Sequence, residues 1–204
     1  MKNLFKFIFF LIVSIFQKKK RFIICNPNLS LFGITKVFIY DKKNKNFSSY
    51  NIRNKYDFIT IEEIFFYECY NISDLKIFKK IIKEIETKRL LIVDCCSNIG
   101  CSTNYFGKSY RNAQIVSIEP DDDNFSVLTK NVKGQNVILV NSAISNDNFN
   151  YEIKSEEDNR AISIIKTNQV NSRKTITINQ ILNEKINENL HPFLIKIDIE
   201  GHEK

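Results

Sequence analysis

The stretch that most constrains the fold runs from Leu90 to Glu119. It begins with an apolar run, Leu90 to Val93, whose composition is typical of a strand buried on both faces, as in a parallel sheet covered by helices. A turn with an acid, an amide and a glycine follows, then a short amphipathic segment, and then a second apolar run from Ile115 to Ile118. This order predicts a strand, a loop, a helix and a second parallel strand, the repeating unit of an α/β fold.

An acid stands at the end of the second predicted strand. Glu119 follows Gly100 by nineteen residues. Because the carboxyl ends of neighbouring parallel strands lie side by side at the ligand-binding edge of such a sheet, the two positions should be close in space. A carboxylate there can accept hydrogen bonds from both hydroxyls of a ribose, which predicts half of a site for a nucleotide-type cofactor.

The loop between the two strands indicates which cofactor this is. A dinucleotide-binding turn uses three glycines so that the backbone can approach a pyrophosphate at a helix N-terminus, whereas this loop contains one, Gly100. Asp94, at its start, would repel a pyrophosphate but suits a cofactor that carries an ammonium and a sulfonium. The residues therefore favour S-adenosylmethionine and oppose the alternative of a dinucleotide-dependent oxidoreductase.

Longer motifs extend this pattern through the second half of the chain: Asp94-x-x-x-Asn98-Ile99-Gly100, Ile118-Glu119-Pro120-Asp121-x-x-Asn124-Phe125-x-x-Leu128-x-x-Asn131, Ala143, and Ile195-Lys196-Ile197-Asp198-Ile199-Glu200-Gly201-His202-Glu203. Over about residues 73 to 204 the chain resembles the FkbM family of S-adenosylmethionine-dependent methyltransferases. The closing motif is the most specific to that family. The resemblance implies an α/β fold with a Rossmann-like class I methyltransferase sheet of strand order 3-2-1-4, and O-methylation of a sugar hydroxyl or related metabolite.

The resemblance also implies roles for individual residues. Those expected to bind the cofactor are Asp94, Ser97, Asn98, Gly100, Glu119, Pro120, Asn141 and Ala143. Asp198 and Glu200 would lie at the acceptor end, where either could orient the cofactor amine or take the hydroxyl proton, with His202 as a lower-ranked base. The structural alternative for these two acids is a salt bridge with Lys196 or Lys204.

Two features depart from the family pattern. Cys96 stands where the family has glycine, and if the backbone there is left-handed a cysteine costs about 1–2 kcal/mol. The sequence also ends at Lys204, just after the fourth predicted strand of a fold that has seven, so we expect an incomplete sheet in a chain truncated relative to the family. These features favour a second reading of the function, a truncated non-catalytic remnant that folds partly and binds the cofactor.

Basic charge is concentrated at the N-terminus. The formal net charge is +7, but residues 1–21 hold six basic residues and no acid, leaving 24 of the 30 basic residues against all 23 acidic residues. The apolar run within Met1 to Gln17 falls short of the roughly 20 residues that span a bilayer. A peripheral helix at a membrane surface and a helix packed on the catalytic domain both stay open. We expect a cytoplasmic protein, at the inner membrane face in the first case, that binds a small-molecule or glycan acceptor and no nucleic acid.

The five cysteines include no Cys-x-x-Cys pair, and no histidine lies near them in the sequence, so the sequence predicts no metal site and reduced thiols.

The expected organisation is an apolar and basic N-terminal helix over residues 1–21, a small β-rich appendage over 22–72, and a partial methyltransferase domain over 73–204. The appendage should contain a hairpin, and the domain should open with a helix capped by Ser73. The remaining predicted elements are helices at Cys101–Tyr110, Asn124–Val132 and Gln180–Glu184, the last capped by Asn179, and strands at Val137–Asn141 and Leu194–Ile199, with a surface hairpin over 147–177.

Overall fold

Two groups of elements make up the computed structural model, which describes residues 8, 12, 20–25, 35–85, 87–154, 160, 162–169, 172–184 and 189–198. The chain divides into two units, Met1–Asn71 and Ile72–Lys204. Most of the predicted N-terminal helix, together with Glu200 and His202, lies outside the described residues. In the part of the chain that the structure describes, no helix has the length and apolar character needed to cross a bilayer.

The first unit contains an antiparallel three-stranded sheet of β1 (Phe22–Ile24), β2 (Lys36–Asp41) and β3 (Asn46–Asn51), in that order. The predicted hairpin is confirmed as β2 and β3. A helix α1 (Lys55–Ile61) follows and continues into a π-helical turn (Glu62–Phe66). Alternation along the strands buries one face, since every second residue of a strand points to the same side.

A buried ion pair ties the start of this unit to its hairpin. The Asp41 carboxylate is fully buried and accepts hydrogen bonds from Arg21 Nε at 3.0 Å and Arg21 Nη2 at 2.8 Å. It also accepts the backbone N–H groups of Lys43 and Asn44 in the turn. Burial alone would raise the pKa of Asp41, but the guanidinium and the two amides outweigh it, and the pKa lies below its usual value. Arg21 therefore belongs to the folded core of this unit.

The elements of the second unit are α2 (Lys76–Ile85), β4 (Leu90–Cys95), α3 (Cys101–Ser109), β5 (Ala113–Ile118), α4 (Asp122–Asn131), β6 (Val137–Val140), α5 (Ile178–Glu184) and β10 (His191–Lys196). The four strands are parallel and lie in the order β10-β4-β5-β6, with helices between them along the chain. The fourth of these strands, β10, therefore lies beside the first, β4, as the sequence predicted. The fold is a mixed α/β architecture compatible with a Rossmann-like domain.

All six residues of β4 are buried, because the strand is covered on both faces. One face, with Leu91 and Val93, packs against α5 through the buried Ile181. The other face, with Leu90 and Ile92, lies on the side of α3. Asp94 belongs to this second face, which brings its carboxylate beside the first turn of α3.

A second sheet was only partly predicted. The segment expected to form a surface hairpin is a three-stranded antiparallel sheet in the order β8-β7-β9. Its strands are β7 (Asn150–Lys154), β8 (Ser163–Lys166) and β9 (Arg173–Lys174). The strand β7 was not predicted because most of its residues are polar, although Tyr151 within it is buried.

Both predicted helix caps were displaced. The helix α2 begins at Lys76, so Ser73 lies in a turn before it, and the N–H of Leu75 donates to the carbonyl of Ile72 at 3.1 Å. For α5 the cap is Thr177 and not Asn179. Thr177 Oγ1 accepts the N–H of Gln180 at 3.1 Å, and the Gln180 side chain accepts the N–H of Thr177 at 2.9 Å, a reciprocal capping box.

Candidate active site

The loop between β4 and α3 forms the edge where the strands of the parallel sheet end, and Asp94 lies beneath it. The Asp94 side chain is fully buried. Its Oδ2 atom accepts hydrogen bonds from Ser102 Oγ and Thr103 Oγ1, each at 2.7 Å, in the first turn of α3. Its Oδ1 atom lies 3.4 Å from Lys196 Nζ on β10. A buried carboxylate thus joins three elements of the site.

Hydroxyl groups continue this network below the loop. Ser97 Oγ donates to the backbone carbonyl of Asp94 at 2.8 Å. Ser117 Oγ on β5 lies 2.7 Å from Ser97 Oγ and 2.9 Å from Thr103 Oγ1. All four side chains are buried. The predicted cofactor-binding residue Ser97 therefore directs its hydroxyl into the protein and fixes the loop from below.

The loop itself has an unusual backbone. Cys96 and Asn98 have φ values of 55° and 50°, in the left-handed region that side chains disfavour. The backbone of Cys96 thus meets the condition stated for it in the sequence, and the left-handed conformation costs about 1–2 kcal/mol relative to glycine. Burial raises the pKa of the Cys96 thiol above its usual range, with a further contribution from the nearby charge of Glu119. Burial also raises the pKa of Cys95 to about 12, so neither thiol has the character of a nucleophile.

Gly100 closes the loop with a φ of 84° and precedes the first residue of α3. Its N–H donates to the carbonyl of Ser97 at 2.8 Å. A Cβ atom built on Gly100 would lie 2.6 Å from Leu128 Cδ1 and 3.0 Å from Val132 Cγ1. Glycine is required here for two separate reasons, the left-handed backbone and the close approach of α4.

Glu119 stands at the end of β5, opposite the loop, and is 2% exposed. Its Oε2 atom accepts the backbone N–H of Asn98 at 2.8 Å, and its Oε1 atom accepts the N–H of Asp121 at 3.1 Å and Asn124 Nδ2 at 3.3 Å. Burial raises the pKa of Glu119 to about 7, although these three hydrogen bonds favour the charged form. The ends of β4 and β5, which the sequence predicted to lie side by side, are therefore joined by a direct contact between Asn98 in the loop and Glu119.

Lys196, near the end of β10, meets the loop from the other side. Its Nζ donates to the carbonyls of Cys95 at 3.1 Å and Cys96 at 2.8 Å. The same nitrogen lies 3.4 Å from Asp94 Oδ1 and 3.5 Å from Asp198 Oδ2. The predicted alternative of a salt bridge between Asp198 and Lys196 is thus observed, while the Asp198 side chain stays 59% exposed.

The predicted cofactor-binding residues Pro120 and Asn141 both contact Arg173 of β9. Pro120 is buried, and its carbonyl accepts Arg173 Nη1 at 2.5 Å. Asn141 is exposed, accepts Arg173 Nη1 at 3.1 Å and donates to Asp122 Oδ1 at 2.7 Å. Arg173 also pairs with Asp122. The strand β9 therefore covers the outer end of this edge with a guanidinium.

Ala143 is buried and has both of its backbone groups occupied. Its N–H donates to Tyr151 Oη at 3.0 Å, and its carbonyl accepts the N–H of Ile176 at 2.8 Å. Burial raises the pKa of the Tyr151 hydroxyl, which keeps the phenol protonated. Ala143 is held by the β7 sheet and does not offer its backbone to the edge of the parallel sheet.

The structure brings Asp94, Ser97, Asn98, Gly100 and Glu119 together at one loop, and Lys196 places Asp198 beside it. The sequence analysis gave no functional role to the residues that support this loop, which are Ser102, Thr103, Ser117, Asn124 and Lys196. Ser102 and Thr103 follow Asp94 by eight and nine residues, at the start of the predicted helix, and this placement is the signal that could have found them.

Four parallel strands with helices between them define the class, an α/β protein, and its candidate site lies where the one-glycine loop meets the acid at the end of the second strand. A family model, the methyltransferase FkbM domain, matches residues 94–204, more than half of the chain. The chain belongs to the FkbM methyltransferase family. No curated protein matches it.

The glycine at the end of the loop gives a direct test of this geometry. We expect Gly100→Ala to lower the free energy of unfolding by about 2–4 kcal/mol, because it adds a clash to the left-handed backbone cost. Gly134→Ala is the matched control: its φ is 83°, but a Cβ there meets nothing within 4 Å, so it should lose only about 1 kcal/mol. Urea denaturation of the three proteins measures the difference, and equal losses would contradict the close approach of Leu128.

Proposed function

We propose that this protein is an S-adenosylmethionine-dependent O-methyltransferase. The observation that carries the proposal is the contact between the Glu119 carboxylate and the loop amide of Asn98. It supports a site in which the acid at the end of β5 receives the ribose hydroxyls of a nucleoside cofactor. Family membership supports methyl transfer as the reaction.

The residues present fit this cofactor in charge and hydrogen-bonding capacity. Three carboxylates lie around the loop, those of Asp94, Glu119 and Asp198, and Lys196 supplies one positive charge. This excess of acidic groups favours a cationic ligand over a pyrophosphate. Glu119 Oε2 accepts one hydrogen bond and retains capacity for another. Asn98 Oδ1 is a buried acceptor to which no donor bonds within the described residues, so a ligand ammonium or hydroxyl would satisfy it.

Under this proposal Glu119 receives the ribose, and Asn98 with the loop amides receives the methionyl portion. When bound, S-adenosylmethionine supplies an electrophilic methyl group on a positively charged sulfur. Asp94 and Ser97 act from below by holding the loop, since their side chains are buried within the protein. Asp198 is the exposed carboxylate nearest to Lys196 in this group, and it would take the proton from an acceptor hydroxyl.

The acceptor we propose is the hydroxyl of a sugar or related metabolite. An alcohol is a weak nucleophile near neutral pH, so a base such as Asp198 assists its attack. The remaining barrier falls mainly through positioning of the two reactants.

Binding of S-adenosylhomocysteine, measured by calorimetry on the full chain, tests the ribose contact. We expect saturable binding in the wild type and at least about a hundred-fold weaker binding in Glu119→Gln, because an amide removes the charged acceptor. Asp123→Asn, in the first turn of α4, is the control and should bind as the wild type does. Binding by Glu119→Gln with unchanged affinity would reject the assignment. Binding without transfer to any hydroxyl acceptor would favour the non-catalytic alternative.

The raised pKa of Glu119 predicts a pH dependence of this binding. If the ribose hydroxyls donate to the ionised carboxylate, the competent fraction of the free protein rises as pH rises through about 7. Affinity should therefore increase about ten-fold between pH 6 and pH 8 and then level off. The slope should disappear in Glu119→Gln. A pH-independent wild type would show that the carboxylate does not titrate against cofactor binding.

We also propose that the apolar and basic N-terminal segment contacts a membrane surface peripherally. The test is sedimentation with vesicles containing anionic lipid. Deletion of residues 1–19 should release the protein, and it spares Lys20 and Arg21, which bond to Phe66 and Asp41 within the first unit. Equal retention of the deleted form would reject the proposal. Neutral vesicles serve as the control, because attraction by the basic cluster requires anionic headgroups.

A further inference from the structure

Lys196 stands out because the proposed function gives no role to a lysine, and this one is almost completely buried. Its side chain is 8% exposed, and its Nζ atom lies beside two carbonyl oxygens and two carboxylates. Burying an ammonium is costly unless it is paired and hydrogen-bonded. The two carbonyls and two carboxylates around Nζ offset that cost.

The two carbonyls belong to the strained part of the loop. Lys196 donates to the carbonyls of Cys95 and Cys96, and the second of these residues has the left-handed backbone. An ammonium bound to both carbonyls fixes the orientation of two peptide groups, whose N–H groups are those of Cys96 and Ser97. The Ser97 N–H donates to Ile118 O at 2.9 Å, and the next amide along the chain, that of Asn98, donates to Glu119. The ammonium therefore acts on the same loop as the ribose acid, from the opposite side.

The same ammonium also reaches the acceptor side. Asp198 Oδ2 lies 3.5 Å from Nζ, and the carboxylate is otherwise mostly exposed. The two sides of the site follow different strands: the loop with Cys96 follows β4, and Asp198 follows β10. Lys196 connects them across the neighbouring strand ends.

We infer that Lys196 is a positioning residue that holds the left-handed loop in its cofactor-binding conformation and fixes Asp198 beside it. This inference rests on the proposed function and deepens it. Lys196 offsets the cost of a cysteine at position 96, because its hydrogen bonds stabilise a peptide conformation that glycine would adopt without strain. The prediction specific to this role is an energetic coupling between Lys196 and Cys96.

The experiment is a double-mutant cycle on the full chain. S-adenosylhomocysteine affinity is measured by calorimetry in the wild type, Lys196→Met, Cys96→Gly and the double variant. We expect Lys196→Met to weaken binding about ten-fold or more in the wild-type background, and clearly less in the Cys96→Gly background, as is usual for residues in contact. Lys196→Arg should recover part of the loss because it keeps the charge. Lys133→Met, at an exposed turn lysine, is the control and should bind as the wild type does.

Amide hydrogen exchange provides a second measurement that needs no cofactor. Lys196→Met should raise the exchange rates of Ser97 and Asn98, while the amides of β5 keep their protection. If the wild type does not bind the cofactor, the proposed function fails, and exchange alone then decides whether Lys196 holds the loop. Unchanged exchange would overturn the inference, as would equal losses of affinity in both backgrounds.

If Lys196→Met fails to fold, because Asp94 is then buried without its ion pair, the Arg variant replaces it in the cycle. A planar guanidinium does not reproduce the two hydrogen bonds that one compact ammonium donates to adjacent carbonyls. The Lys196→Arg variant should therefore also raise the amide exchange rates of the loop, although less than Lys196→Met does. A folded Lys196→Arg variant with the exchange rates and the affinity of the wild type would overturn the inference.

Discussion

The site depends on one buried charge, that of Asp94. A carboxylate removed from water at the end of a central strand must be matched by donors or an opposite charge, or the fold would lose several kcal/mol. Here the first turn of α3 supplies two hydroxyls, and β10 supplies the ammonium of Lys196. These contacts join the helix and the fourth strand to the end of β4 beneath the loop. Asp94, which the sequence predicted to bind the cofactor, is thus also the residue through which these elements are connected.

This arrangement separates two tasks that the sequence suggested were combined in one loop. Beneath the loop, Asp94 Oδ2 and Ser97 Oγ are hydrogen-bonded within the protein, and Asp94 Oδ1 lies 3.4 Å from Lys196 Nζ without accepting a hydrogen bond in the described part of the chain. Above them, Asn98 Oδ1 and Glu119 Oε2 have spare hydrogen-bonding capacity. The left-handed backbone at Cys96 and Asn98 turns the loop toward the end of β5, and this conformation carries strain. Strain of this kind persists only where the surroundings fix the conformation, and the hydrogen bonds from Ser97, Gly100 and Lys196 do so.

Much of the core could be predicted because its signals are local. The apolar runs of β4 and β5 and the acid at Glu119 fixed two parallel strands and their shared end, and the fourth strand was found beside the first, although it lies at His191–Lys196 and not Leu194–Ile199. The supporting contacts could not be predicted. Lys196 meets Asp94 across about a hundred residues, and a lysine in an apolar strand gives no indication of the carbonyls it will bind. Cap positions failed for a related reason, since several polar residues near each helix start are chemically able to cap it.

The contacts of Lys196 explain how a cysteine can occupy a left-handed position of the loop. Cβ at residue 96 makes the left-handed conformation unfavourable, yet the Cys96 carbonyl accepts the shorter of the two lysine hydrogen bonds, at 2.8 Å. A charged donor contributes more than a neutral one, and in a buried site the contribution is of the same order, about 1–3 kcal/mol, as the backbone cost. The substitution at Cys96 is therefore compatible with an ordered loop. What it changes is the dependence of that loop on β10: with glycine the turn would form by its own preference, whereas with cysteine it forms because the fourth strand holds it.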